Sequence, residues 1–200
     1  MARRLPQQVL TTTFATLARK VLQAAGLLGT DSITMDRITR RFEARPERLI
    51  AELGIQALAG LSVMEVLRCV MTTTAKYSYS DHRGIRTEHV PRCYSGLSGA
   101  DKQVITGLAR NLWSQLENPA ADWLPLKGYH LIKRLALSEL SIPADYSHLI
   151  VDESHDLPRS VVQIIDRAEQ AVITLGDRYQ SLRYRRIARQ RAEGISIREM

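Results

Sequence analysis

The chain has 200 residues and a formal net charge of +7, and arginine supplies 23 of its 28 basic residues. This length and a hydrophobic fraction of 44% are typical of one globular unit, which excludes a disordered or low-complexity chain. No apolar run reaches the roughly 18 residues of a membrane span, and no signal peptide is apparent, so we expect a soluble, cytoplasmic protein without a membrane partner. Because a guanidinium group matches phosphate oxygens, the arginine excess favours a phosphate-bearing partner.

Four short apolar segments without alternation predict buried strands, at residues 8–14, 32–35, 148–151 and 171–175. Residues 15–28 follow the first strand with apolar residues at helical spacing. After the third strand, Pro158 marks the start of a helix. The buried stripe predicted for this helix is Val161, Val162, Ile164, Ile165 and Ala168. The alternation of strands and helices predicts an α/β fold with a parallel sheet.

The middle of the chain, residues 45–145, shows no convincing strand pair and predicts a mostly helical, basic insertion. We predict helices at 50–69 and 101–116, with Ser98 and Asp101 as a capping box, and an irregular segment at 72–99. The predicted organisation therefore has three parts. Residues 1–44 and 146–200 form a sheet lobe, and residues 45–145 interrupt it.

Two cysteines, Cys69 and Cys93, are too few for a disulfide framework, which favours a reducing compartment. Together with His82 and His89 they could form a zinc set. Only His89 and Cys93 have the short spacing of a metal-ligand pair, so structural thiols and surface histidines are the favoured interpretation.

An apolar strand that ends in two adjacent carboxylates is the strongest local signal for chemistry. Asp152 and Glu153 directly follow the predicted strand 148–151. At the carboxyl edge of a parallel sheet, such side chains face the crevice in which ligands bind. One carboxylate can hold a hydrated Mg²⁺, and its neighbour can orient or deprotonate an attacking water. The alternative is a strand end capped by solvated acids.

The last predicted strand, 171–175, is followed by Gly176 and Asp177, and Gln180 comes three residues later. A glycine lets the backbone approach a phosphate, and an amide side chain can contact a terminal phosphate without adding charge. The same residues could form an ordinary turn. Because both strands deliver polar groups to one edge of the sheet, the pair favours a ligand site there.

These two segments resemble motifs II and III of superfamily 1 DNA helicases of the UvrD/Rep type. The run Asp-Glu-Ser-His-Asp at 152–156 corresponds to D-E-x-Q-D, and Gly-Asp-Arg-Tyr-Gln-Ser at 176–181 corresponds to G-D-x-x-Q-S. The ordered set of resemblances covers most of the chain. Its other members are residues 10–14 with 17–19 (motif Ia), 33–38 (the T-F-H-S-L segment) and 124–130 (a segment of the F-box DNA helicase branch).

The resemblance implies a RecA-like lobe with a helical insertion, which closes on ATP and Mg²⁺ against a second lobe and moves 3′ to 5′ along single-stranded or partly duplex DNA. By position, Asp152 and Glu153 line the metal, with Asp152 as its ligand and Glu153 as the catalytic base. Gln180 contacts the γ-phosphate and links the nucleotide site with the DNA site, and Gly176 and Asp177 belong to the same nucleotide site. The residues implied to contact DNA are Thr13, Phe14, Thr34, Arg183, Arg185 and Arg186.

Departures from the family pattern bear on activity. The sequence contains no Walker A loop, G-x-x-x-x-G-K-[ST], which lies upstream of motif Ia in the family and holds the nucleotide phosphates. It also lacks the later motifs of the second lobe. We therefore expect a partial lobe, from a truncated or split gene product, that hydrolyses no ATP alone and works with a chain supplying the P-loop and second lobe. His155 replaces the glutamine of motif II, and Arg183 and Arg185 replace aromatic residues of motif III.

Two other interpretations stay open. The chain could be a non-catalytic module, derived from a helicase lobe, that binds single-stranded nucleic acid or protein, or it could be a remnant without function. Whether a P-loop is encoded upstream or supplied by a partner is also open. The arginines after motif III favour a strip that contacts phosphates over a solvated helix face: Arg178, Arg183, Arg185, Arg186, Arg189 and Arg191.

Overall fold

Helices make up most of the fold. The computed structural model describes residues 9–39, 44–94 and 96–176, which contain seven α-helices and one two-stranded sheet. The helices are α1 (Phe14–Ala24), α2 (Ser32–Thr39), α3 (Pro46–Leu53), α4 (Val63–Tyr79), α5 (Gly99–Glu117), α6 (Gly128–Ser138) and α7 (Arg159–Asp166). The strands are β1 (His148–Val151) and β2 (Ala171–Thr174), and 3-10 turns lie at Thr87–His89 and Ser154–Asp156.

The strand predicted at residues 8–14 is wrong, because its described part, from residue 9 onward, pairs with no other strand. Helix α1 instead begins at Phe14, and the Thr13 hydroxyl accepts a hydrogen bond from the Thr16 N–H at 3.2 Å. Threonine is a favoured N-cap residue because its side-chain oxygen satisfies one of the amides that a helix start leaves unpaired. Thr13, within the segment predicted as a strand, therefore serves as a helix cap.

The strand predicted at residues 32–35 is also wrong, since this segment is the first turn of α2. Asp31 accepts hydrogen bonds from both the backbone N–H and the hydroxyl of Thr34, each at 2.8 Å. The residues of α2 that are buried, Thr34 and Arg37, are three apart, as one helix face requires. The Asp31 cap and the three-residue spacing of the buried side chains thus favour a helix over an extended segment.

The helix predicted at 50–69 is divided in the structure into α3 and α4. Gly54 ends α3 with φ 63°, a left-handed conformation that glycine adopts at little cost. Helix α4 starts anew after Ser62, which forms a capping box with Glu65, and continues to Tyr79, so the first part of the segment predicted as irregular is helical. The predicted helix 101–116 is confirmed as α5, as is its capping box.

One cluster of buried side chains extends from Leu17 in α1 to Ile164 in α7. Helix α1 packs closely on α6, and a Cβ at Gly128 would lie 2.8 Å from the Cβ of Ala15. Trp113 lies in this cluster, and its ring stands edge-on to Tyr77 at a centroid distance of 5.2 Å. The segments 1–44 and 45–145 therefore share a core.

A buried arginine joins α2 to the end of α5. Arg37 is 3% exposed, and its guanidinium donates to the carbonyl oxygens of Leu116, Asn118 and Leu124 at 3.0, 3.0 and 2.9 Å. The last carbonyls of a helix lack intrahelical partners and carry partial negative charge, so a cation stabilises them. Arg37 thereby fixes the segment that leads from α5 into α6.

A fully buried lysine fixes the loop after α4. The Lys133 ammonium in α6 donates to the carbonyl oxygens of Ser80 and His82 at 2.9 and 2.6 Å, and it lies 4.5 Å from the centroid of the Tyr77 ring. Burial lowers the pKa of Lys133 to about 8. The loop is therefore attached to the core through its backbone.

Strands β1 and β2 are parallel, with His148 opposite Ala171 and Val151 opposite Thr174, which confirms this part of the predicted α/β fold. Helix α7 connects them, and its residues Val161 and Ile165 pack with Val151 in a second, smaller cluster. Val161, Ile164 and Ile165 of the predicted stripe are buried. In the described ranges no helix is both long and apolar enough to cross a membrane.

Candidate functional site

The carboxyl ends of β1 and β2 lie side by side, and the chain turns sharply after each. Leu175 N–H donates to the Val151 carbonyl, and Ser154 N–H donates to the Leu175 carbonyl, both at 2.8 Å. Asp152 and Glu153 therefore lie at the start of a turn held directly against the segment that leads to Gly176. The sheet brings together these three residues, as their positions at two strand ends predict.

Both carboxylates at this turn are exposed. Asp152 Oδ1 accepts the N–H of Glu153 at 2.9 Å, which fixes the carboxylate beside the backbone. Its second oxygen has no protein partner among the described residues and can bind a cation or water. A hydrated Mg²⁺ typically takes one or two protein carboxylates and keeps several waters, and an exposed carboxylate of this kind meets that requirement.

Glu153 has an unusual backbone conformation. Its φ of 52° and ψ of 39° are left-handed, a conformation that costs a residue with a side chain about 1 kcal/mol or more. The turn directs its carboxylate back to His155, whose Nε2 lies 3.3 Å from Glu153 Oε2. The histidine side chain is 5% exposed and the glutamate side chain 71%, so the exposed carboxylate lies beside a buried imidazole.

Ser154 and His155 also form the contact with the second strand end. A Cβ on Gly176 would lie 2.8 Å from Ser154 Oγ and 3.3 Å from both the backbone nitrogen and Nδ1 of His155. That Nδ1 is buried and has no hydrogen-bond partner among the described residues. Gly176 therefore has a packing role, since only a residue without a side chain fits against this turn.

Replacing Gly176 with alanine is expected to lower the free energy of unfolding by about 1–2 kcal/mol, because the added methyl overlaps the turn. Urea denaturation measures the loss. Ser154→Ala in the same chain should recover part of it, since it removes the closest atom. Gly84→Ala is the control, because its Cβ would meet nothing within 4 Å. Equal effects at both glycines would contradict the packing role.

The residues implied to bind DNA lie in different settings. Thr13 is exposed at the start of α1, whereas Phe14 is partly buried and packs on the small cluster under the sheet. Thr34 is 8% exposed, and both its N–H and its hydroxyl bond to Asp31. Asp177, Gln180, Arg183, Arg185 and Arg186 lie outside the described residues.

Three residues at or near the site have roles that the sequence did not reveal. His155 Nε2 lies 3.3 Å from the Glu153 carboxylate, and Ser154 Oγ is the atom closest to where a Cβ on Gly176 would stand. Asp81, far away in sequence, accepts from Arg159 at 2.9 Å, and this pair ties the start of α7 to the helical part of the chain. No periodicity or spacing signals a pair 78 residues apart.

The site thus presents an exposed carboxylate, a second carboxylate beside a buried histidine, and a glycine packed against the same turn at the edge of a parallel sheet. No protein-family model matches the sequence, and neither a curated protein nor a solved structure matches it.

Proposed function

We propose that this chain is a RecA-like lobe of a superfamily 1 DNA helicase of the UvrD/Rep type, which contributes Mg²⁺-dependent ATP hydrolysis and contacts to single-stranded DNA. The observation that carries the proposal is the contact between the two strand ends. Asp152 and Glu153 follow β1 and Gly176 follows β2, and hydrogen bonds of 2.8 Å join the two segments. Motifs II and III would have to meet in this way in such a lobe.

The residues at this edge fit a magnesium ion better than they fit a nucleotide. Asp152 would hold the ion through its exposed carboxylate, and a bound Mg²⁺ would neutralise charge on the phosphates. Glu153 would accept a proton from water, and His155 would keep its carboxylate oriented. The phosphates themselves need backbone N–H groups and a lysine in a P-loop, a motif that these 200 residues do not contain.

The charge of the chain supports a nucleic-acid partner. A net charge of +7, carried mainly by arginine, suits phosphate contacts, and Arg183, Arg185 and Arg186 follow the proposed motif III. The missing P-loop pattern favours a second candidate function, a non-catalytic module that binds single-stranded nucleic acid. The two candidates differ in whether Glu153 has a chemical role.

DNA binding is tested by fluorescence anisotropy with a labelled oligothymidine at several salt concentrations. Replacing Arg183, Arg185 and Arg186 with alanine should make the slope of log K against log salt shallower by about two units, because each phosphate contact on a single strand contributes about 0.7. The control replaces three exposed arginines elsewhere, Arg45, Arg68 and Arg92, with the same change in net charge. Absence of binding by the wild type, or equal slopes for both variants, would contradict the proposed DNA contacts.

The role of Glu153 is tested by phosphate release from Mg-ATP with single-stranded DNA present. The chain alone should release no more phosphate than Glu153→Gln, because the phosphates lack their P-loop. Adding a protein lobe that carries a P-loop should produce ATP hydrolysis. The Glu153→Gln variant should lose this hydrolysis, whereas the control variant Asp156→Asn, in the same turn, should keep it. Hydrolysis insensitive to Glu153→Gln would leave DNA binding as the only function supported.

A further inference from the structure

A group of metal-ligating side chains lies far from the sheet edge, in the loop between α4 and α5. His82, Glu88 and His89 place their ligand atoms within 4.8 Å of one another. His82 Nδ1 lies 3.0 Å from His89 Nε2 and 3.1 Å from Glu88 Oε1. Within 9–39, 44–94 and 96–176 this is the one group of three or more such residues, and neither Cys69 nor Cys93 belongs to it.

The distances suit a small divalent ion. A tetrahedral ion with bonds of about 2.0–2.1 Å to nitrogen and oxygen holds neighbouring ligand atoms about 3.3 Å apart. The separations of His82 Nδ1 from its two neighbours are close to that value. Without an ion, a proton on His89 Nε2 can be donated to His82 Nδ1 at 3.0 Å or to Ser80 Oγ at 3.2 Å. A divalent ion between the two imidazole nitrogens and the carboxylate oxygen would take the place of that proton.

His89 is held in the orientation that a ligand needs. It is 4% exposed, and its ring stands edge-on to Tyr77 at a centroid distance of 5.6 Å. Its Nδ1 lies 2.9 Å from the backbone nitrogen and 3.1 Å from the carbonyl oxygen of Arg86. Without an ion Nδ1 accepts from the N–H, and with an ion on Nε2 it donates to the carbonyl, the usual second contact of a metal-bound histidine.

The loop that carries His82 is fixed from two sides. Lys133 binds the carbonyl oxygens of Ser80 and His82 from α6, and Gln163 in α7 donates to the carbonyl of Asp81 at 2.9 Å. A site whose backbone is already fixed loses little conformational entropy on binding a ligand. The Asp81 carboxylate, which also pairs with Arg159, attracts the Lys133 ammonium, and the Arg86 guanidinium lies 3.8 Å from Glu88 Oε1.

We propose that His82 Nδ1, His89 Nε2 and Glu88 Oε1 bind one divalent transition-metal ion, with water in the fourth position. Two imidazoles, a carboxylate and a water form a donor set that suits zinc, and Co²⁺ and Ni²⁺ accept the same donors. The outer side of the group is open, since the Glu88 side chain is 55% and the His82 side chain 31% exposed. The inference does not depend on the function proposed for the sheet edge.

Isothermal titration of the untagged, EDTA-treated chain with ZnCl₂ tests the site. We expect one equivalent of zinc to bind, His82→Ala and Glu88→Gln to weaken binding by about tenfold or more, and His148→Ala to leave it unchanged. His148 is an exposed histidine on β1 and serves as the matched control. Circular dichroism establishes whether each variant is folded. If His82→Ala does not fold, Glu88→Gln still tests the site, because the Glu88 side chain is exposed.

Cobalt substitution identifies the ligands independently. A visible spectrum typical of nitrogen and oxygen donors in tetrahedral geometry supports the proposal. A thiolate-to-cobalt charge-transfer band would place Cys93 or Cys69 on the metal and overturn it. No zinc binding at micromolar concentrations, or affinity that His82→Ala and Glu88→Gln leave unchanged, would also overturn it.

Discussion

Replacing Arg37 with methionine should lower the free energy of unfolding by roughly 3–5 kcal/mol, the largest effect that we expect of any single substitution. The side chain donates to three carbonyl oxygens at the end of α5 and in the segment beyond it. Methionine has a similar length and fills the same space, but it leaves the three carbonyl oxygens, two of them on the buried residues Leu116 and Leu124, without that donor. Since domains of this kind are stable by about 5–15 kcal/mol, much of the total would be lost.

Urea denaturation followed by circular dichroism measures this loss. Arg37→Lys should fall between the wild type and methionine, because lysine keeps the charge but presents its donors from one atom rather than from a planar fork. Arg68→Met is the control, since Arg68 is exposed on α4. A change below about 1 kcal/mol for Arg37→Met would show that water or a relaxed backbone satisfies these carbonyls instead.

Acid should destabilise the protein well before its carboxylates titrate, because His130 is buried as a neutral ring. Burial, together with the nearby cations Lys127 and Arg37, lowers the pKa of His130 to about 3. In the unfolded chain the group titrates near 6.5. Between these values the unfolded state binds a proton that the folded state does not, so stability is complete above pH 6.5 and falls as the pH decreases. The loss from His130 is about 2 kcal/mol between pH 6.5 and 5.

Urea denaturation at pH 5, 6 and 7 measures the slope, and His130→Gln provides the comparison. His130 Nδ1 accepts the N–H of Lys127 at 3.1 Å at the start of α6, and glutamine at this third helical position can accept the same bond without titrating. His89, whose pKa burial also lowers, remains in both proteins. The variant should therefore keep a shallower slope rather than none. Parallel slopes for the two proteins would contradict the assignment to His130.

Local signals in the sequence predicted local structure where a cap and a periodic face agreed. Ser98 and Asp101 open α5 as expected, and Pro158 immediately precedes α7. The two wrong strands show the opposite case. Short runs of threonine and isoleucine have strand propensity, but Thr13 and Asp31 at their borders are also helix caps. These capping residues were the competing signal, and neither the seven-residue run at 8–14 nor the four-residue run at 32–35 outweighs them.

Half of the candidate site at the sheet edge could be predicted, and half could not. The carboxylates after β1 and the glycine after β2 follow from the rule that parallel strands end at one edge. The contact of His155 with Glu153 depends on a left-handed turn, which sequence does not reveal. Arg37 and Lys133 form bonds across 79 to 87 and 51 to 53 residues, and no local pattern contains such pairs.

The core that α1 shares with α6 limits how this chain can be divided. A protein engineer who removed residues 45–145 as a detachable module would expose the buried face of α1 and would leave Arg37 without its carbonyl partners. The same segment expressed alone would lose the helix that packs at Gly128. Fusion partners and reporter sequences should therefore be inserted in loops within the chain, and not at the borders of the predicted insertion, residues 45–145.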